Sequence, residues 1–247
     1  MTFQRRRPVR LLSTLLLSAA SIACTGTVTE IAAAEAPVTR PIRAAFLIVD
    51  GVYNTELMAP WDVFEHARHY DPEGRGIEVY TVSPAGGEVV TAEGLTLIAD
   101  HSFSTAPQPD ILVVPSARDS RGGDRHNLEL IDWVRSTGSQ ADQVMSLCWG
   151  AFILAEAGLL EGHASTTFPK DYALFAQTFP DLDVRFNVSF VHDRGRLTSQ
   201  GGARSYEAAM YLVDLLFGEE VARGVGSGLL IRWPMPAESR RVFVTGN

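Results

Sequence analysis

Residues Val144–Gly158, VMSLCWGAFILAEAG, constrain the fold of this chain more than any other stretch. A short apolar run ends in Cys148, and Gly150 opens an Ala/Leu-rich helical pattern two positions later. A strand that turns at once into a helix leaves its turn residue exposed at the carboxyl edge of a sheet. This is the arrangement of a nucleophile elbow, with cysteine in the serine position. Gly150 lets the helix begin close against the strand. A thiol there faces unpaired backbone N–H groups and the positive end of a helix dipole, which together favour the thiolate. The other reading of Cys148 is a small buried apolar residue at a strand end.

Around this stretch, apolar runs alternate with helical patterns. Ile42–Val49 and Asp110–Val114 are continuous apolar runs suited to central parallel strands covered on both faces. Gly76–Val82 is a further strand, Glu88–Ile98 a small hairpin, Asp100–Pro109 a loop, and Gln143–Leu147 the strand that carries Cys148. Leu57, Trp61, Phe64 and Ala67 recur at helical spacing, and Pro60 sets the expected helix start, because proline suits a first turn. Glu56 then lies in the turn before that helix. Ser116–Asn127 is a charged loop, and helices are expected over Leu128–Thr137, Trp149–Leu160, Asp171–Phe179 and Ala203–Phe217. Val184–Phe190 and Arg196–Ser199 read as strands. The alternation predicts a parallel α/β sandwich. In such sheets ligands sit beyond the carboxyl ends of the strands. Glu56, Pro115-Ser116-Ala117 and Cys148 all fall at such ends.

The termini suggest an exported protein. Arg5, Arg6, Arg7 and Arg10 precede Leu11–Ala23, an apolar run of 13 residues that is too short for a mature membrane span. Residues 1–34 are expected to form a signal peptide cut after Ala34, with residues 35–41 a linker, 42–228 the folded domain and 229–247 a tail. Ser21-Ile22-Ala23-Cys24 offers a second exit as a lipoprotein box anchored at Cys24. Removing residues 1–34 takes away four Arg and Glu30, leaving 17 Lys+Arg against 28 Asp+Glu, a balance of −11. Such an acidic body argues against nucleic acid and anionic membrane as partners, unless the chain is lipidated. Of the two cysteines only Cys148 lies beyond the leader, so no intrachain disulfide framework is expected. No Cys/His spacing resembles a metal site, and no cofactor is implied.

The segments SLCWGAFILAEAGLLEGHASTT, LTSQGG and ELMAPWDVF together resemble the ThiJ/PfpI family. The likeness runs from about Ile42 to Phe217. It implies a flavodoxin-like, class I glutamine amidotransferase-like fold, a three-layer sandwich with a mostly parallel central sheet. Within the family the chain resembles isonitrile hydratase and the ligand domain of AraC-type regulators. The resemblance implies a nucleophile at Cys148 and an acidic partner at Glu56. It also implies an oxyanion pocket of backbone N–H groups from Trp149 and from Ser116 or Ala117, and often a homodimer. Two departures stand out: Trp149 follows the cysteine where peptidase-like members carry His, and Phe168 follows the Thr-Thr pair where hydratase-like members often carry His.

These residues suit addition of Cys148 to a small electrophilic carbon, with Glu56 shuttling the proton and Trp149 and Phe168 lining an apolar pocket. Isonitriles, nitrile-like carbons and α-oxoaldehydes are the candidate substrates for such hydratase or lyase chemistry. The alternative is a non-catalytic binding or redox-sensing protein, in which Cys148 oxidises instead of turning over. For Glu56 the plainer role is a charge meeting a helix dipole, and Asp62 is a competing acid. His101, His126 and His192 lie on expected loops.

Overall fold

A computed structural model describes residues 40–235 and 242–245. The expected leader and most of the linker lie outside the described residues.

β1 (Ile42–Leu47) is central because both of its faces are apolar. Ala44 and Phe46 face one cluster of buried side chains, Ala45 and Leu47 the other. After β1 come α1 (Asn54–Ala67), β2 (Ile77–Ser83), the antiparallel hairpin β3 (Gly87–Val90) and β4 (Thr96–Ala99), and β5 (His101–Ser102), which lies in the segment expected as a loop. β6 (Ile111–Val114) is wholly buried, and the short α2 (Gly123–His126) interrupts the charged loop before α3 (Leu128–Gln140). β7 (Gln143–Leu147) matches the expected strand to the residue, and α4 (Gly150–Glu156) follows it. Next are β8 (Ala164–Ser165), α5 (Tyr172–Thr178) and β9 (Asp183–Val184). The last elements are β10 (Phe190–Asp193), β11 (Arg196–Ser199), α6 (Arg204–Phe217), α7 (Glu219–Leu229) and β12 (Val242–Thr245).

The main sheet runs β12-β10-β11-β7-β6-β1-β2-β5, and every pairing is parallel except β10 with β11. One apolar layer packs α1 and α6 against the sheet through Phe64, Met210 and Val213, with α7 against those two helices; the other packs α3, α4 and α5 through Val134, Phe152 and Phe175. Each of these fully buried side chains stabilises the fold by about 1.5–3 kcal/mol. The three layers and mostly parallel sheet match the expected architecture. No described helix is long and apolar enough to cross a membrane.

Several elements depart from expectation for identifiable reasons. α1 begins at Asn54, not near Pro60, so Glu56 sits inside its first turn and Pro60 is tolerated within the helix. α4 stops at Glu156, because Gly158 takes a φ of +76°, the left-handed geometry that ends helices. The expected strand Val184–Phe190 divides into β9 and β10, with Asn187 at a φ of +59° between them. β12 comes from the segment expected as a tail and pairs along the full length of β10.

Candidate active site

Cys148 is the bend between β7 and α4, and it adopts a φ of +55°. For a residue with a Cβ this conformation costs about 1–3 kcal/mol and persists only where neighbours enforce it. Here they do. The Cys148 N–H donates to Ser199 O at 2.9 Å, and Thr167 Oγ1 donates to Cys148 O at 2.8 Å. Two glycines make the bend possible. A Cβ on Gly150 would stand 2.0 Å from Val114 O, and one on Gly201 would stand 2.4 Å from Cys148 Cβ.

Gly201 and Gly202 follow β11 and connect the thiol to the acid. Gly201 packs against Cys148, and the Gly202 N–H donates to Glu56 Oε1 at 3.0 Å. Cys148 and Glu56 keep only 6% and 7% of their surface exposed. Burial raises the Glu56 pKa above the ordinary carboxylate range, against the Gly202 hydrogen bond that lowers it, with a further push up from Glu93. Burial also pushes the Cys148 thiol up to about 12. The charge of Glu56 adds to that, while the Ser116 hydroxyl and the Trp149 N–H act in the opposite direction. This corrects the expectation of a resting thiolate. Burial and a negative neighbour outweigh the end of a seven-residue helix.

The expected oxyanion donors divide. The Trp149 N–H is directed at the sulfur. Ser116 is fully buried, and its hydroxyl has no partner within ordinary hydrogen-bond geometry while still drawing the thiol pKa down. The Ala117 N–H is not free for such a role: it donates to Ser120 Oγ at 2.8 Å, closing the turn after β6.

A sequence profile of the DJ-1/PfpI family matches residues 42–214. The chain belongs to the DJ-1/PfpI family. Among its DJ-1/PfpI relatives, isonitrile hydratase from Pseudomonas putida is 28% identical over 182 residues, covering 74% of this chain and 75% of that protein. The fold also resembles a ThiJ/PfpI family protein from Pseudomonas syringae, with a TM-score of 0.70 and 22% identity over 88% of this chain and 84% of that one. An AraC family transcriptional regulator from Pseudomonas putida superposes with a TM-score of 0.64 and 24% identity, covering 76% of this chain and all of that structure.

Trp149 and Phe168 meet edge to face at 6.4 Å, and Tyr53 meets Trp149 in the same manner at 6.0 Å. Trp149 directly follows Cys148, so both rings gather on the thiol's sequence neighbour. Sequence reasoning missed Tyr53, Asp171 and Arg121. Trp149 Nε1 donates to Asp171 Oδ2 at 2.7 Å, and the Arg121 guanidinium lies 3.9 Å from the centre of the indole. The available signal was Trp149 itself, since a half-buried indole N–H needs an acceptor.

The histidines do not fill the missing place. His192 is buried within β10, not on a loop, with Nδ1 3.0 Å from Tyr211 Oη. His101 starts β5 and packs against Tyr80, and His126 ends α2. The groups that act most strongly on the thiol include no imidazole. Among the described residues no cluster of His, Cys, Asp and Glu is built to hold a metal ion.

Proposed function

We propose that this DJ-1/PfpI protein is a cysteine-dependent hydratase or lyase acting on a small electrophilic molecule. The observation that carries this reading is the joint burial of Cys148 and Glu56 on the single Gly201-Gly202 backbone segment. A thiol that rests protonated needs a base at the moment of attack, and Glu56 is the carboxylate that acts most strongly on it. In the proposed step Glu56 takes the Cys148 proton as the sulfur bonds to the electrophilic carbon. It then returns that proton to the substrate, leaving a neutral thioimidate adduct on an isonitrile or a nitrile. Water adds to the same carbon, the C–S bond breaks, and the leaving sulfur regains a proton. One water has then been added and both side chains are restored. For an isonitrile the product is an N-substituted formamide. Trp149 N–H and the Ser116 hydroxyl face the charge that builds up on sulfur and substrate, whereas Tyr53, Trp149 and Phe168 favour a small, largely apolar reactant.

The direction of the thiol shift supports this reading over the redox-sensing alternative. Peroxide reacts with the thiolate, and this thiol holds its proton well above neutral pH. Isonitriles, nitriles and α-oxoaldehydes assayed against wild type, Cys148→Ser and Glu56→Gln decide the matter. Turnover should vanish in both variants. Alkylation of Cys148 should quicken severalfold in Glu56→Gln, because a negative neighbour has gone. Equal turnover in wild type and Cys148→Ser would remove this site from the reaction.

Export belongs to the same proposal. The intact mass of protein recovered from the periplasm should begin at Glu35. A mass carrying lipid on Cys24 would select the anchored form, and an unprocessed cytoplasmic chain would end the export reading. A homodimer is also proposed. Loop 116–127 holds its Arg121 within its own chain, in an ion pair with Asp171 at 2.6 Å. The exposed apolar residues Val90, Leu95 and Ile98 instead lie on and around the β3–β4 hairpin.

A further inference from the structure

Three side chains from three separate segments close a ring beside the thiol. Arg121 comes from the loop after β6, Trp149 from the bend itself, and Asp171 from the 3-10 turn that precedes α5. Each touches the other two. Arg121 donates to Asp171 Oδ1 at 2.6 Å, Trp149 Nε1 donates to Asp171 Oδ2 at 2.7 Å, and the guanidinium covers the indole at 3.9 Å. Both carboxylate oxygens of Asp171 are therefore engaged, and the residue is 9% exposed. Tyr53 and Phe168 meet the same indole edge to face. An indole held at its N–H, over its face and by two further rings cannot rotate without breaking several contacts.

We propose that Asp171 and Arg121 are positioning residues for Cys148, fixing the Trp149 side chain and thereby the backbone N–H that points at the sulfur. The proposal rests on Cys148 being the reactive group of the site. Trp149 is the residue directly after Cys148, so rotation of its side chain and peptide would withdraw a donor from the thiol. The two partners also differ in sign. Asp171 is negative and disfavours the thiolate, as Glu56 does from α1. Arg121 pairs with Asp171 and offsets its charge, and it remains 37% exposed while doing so. Removing the acid and removing the base should therefore move the thiol in opposite directions, which loosening of a structural wall would not do.

The test measures iodoacetamide alkylation at the Cys148 peptide by mass spectrometry between pH 7 and 9, in the full chain. Asp171→Asn keeps the shape and removes the charge, and should speed alkylation about three- to tenfold, equivalent to half to one pKa unit. Arg121→Gln should slow it by a similar factor, and Arg121→Lys should recover part of the rate, because lysine restores the charge without the planar stack. The indole N–H resonance of Trp149 should move in Asp171→Asn and Arg121→Gln. Unchanged rates, or acceleration in both variants, would overturn the positioning role. An inert wild-type thiol would instead defeat the reading of Cys148, and the indole resonance alone would then decide whether Asp171 and Arg121 hold Trp149.

Discussion

Alkylation of Cys148 should accelerate about tenfold for each pH unit from 7 to 10, roughly a thousandfold in all, with no plateau in that range. The reason is the direction of the thiol shift. Burial and the neighbouring Glu56 push it up to about 12, so the reactive thiolate is a small fraction throughout and grows in proportion to hydroxide. A thiolate stabilised by a helix N-terminus would behave oppositely, with a rate already level above neutral pH. The same shift carries a stability consequence. A thiol whose folded pKa lies above its unfolded value near 9 stabilises the fold below that pH. That contribution fades as pH rises from about 9 toward 12. Glu56 is also shifted up, so its contribution is complete below the ordinary carboxylate pKa and declines as pH climbs past it. Cys148→Ala should thus flatten the alkaline limb of a melting-temperature profile, and Glu56→Gln the acid-to-neutral limb. A wild-type alkylation rate that levels off near pH 7 would show that the electrostatics of the site are not those described.

The resting state of that thiol was the part of the site least legible in the sequence. The local pattern of β7, Cys148 and Gly150 specifies a bend, and the bend is there. Whether a thiol in a bend is ionised depends on what encloses it, and the enclosing groups Glu56, Ser116, Gly201 and Asp171 come from four distant stretches of chain. The expected pairing of Cys148 with Glu56 rested on both falling at strand ends and on family resemblance, since no local signal relates two residues so far apart. The ring of Arg121, Trp149 and Asp171 left only the indole as a hint.

The fold was most readable where apolar periodicity and tertiary role agree, as in β1, β6 and β7. It was least readable where they conflict. α7 carries Gly224, Gly226 and Gly228, which lower helix propensity and hid the helix. The structure gives each a reason: added Cβ atoms would stand 2.4 Å from Tyr70 Cδ1, 2.5 Å from Ile231 O and 2.7 Å from the Tyr70 hydroxyl. Close packing of α7 over Tyr70 and against the turn that follows the helix thus overrides propensity. Pro60 misled in the reverse direction. Its missing N–H suits a helix start, yet α1 accepts it in the interior because the helix is pinned to the core by Leu57, Val63, Phe64 and Ala67.

Gly150→Ala should be the most destabilising single methyl addition at the site, exceeding the 1–3 kcal/mol or so typical of an overfilled core. The new Cβ would lie 2.0 Å from Val114 O, 3.0 Å from Val114 C and 3.3 Å from Pro115 O. All three are backbone atoms of the wholly buried strand β6 or its exit, so no side chain can swing aside. Relief requires α4 to lift from the sheet, which moves Trp149 and the bend with it. At about 2–4 °C per kcal/mol for a domain of this size, the melting temperature should fall by roughly 10 °C or more. Gly202→Ala is the matched control: its φ is +56° but nothing lies within 4 Å of the new Cβ, so only the backbone cost of about 1–2 kcal/mol applies. Gly201→Ala falls between them in mechanism, combining a φ of +81° with a clash on the Cys148 side chain and backbone. It should therefore disturb alkylation of Cys148 more than its loss of stability alone would account for. Thermal melts and alkylation rates on the three variants separate these effects. A Gly150→Ala protein that melts within a degree or two of wild type and alkylates at the wild-type rate would mean that α4 does not start against β6. The bend that presents Cys148 would then need a different geometry.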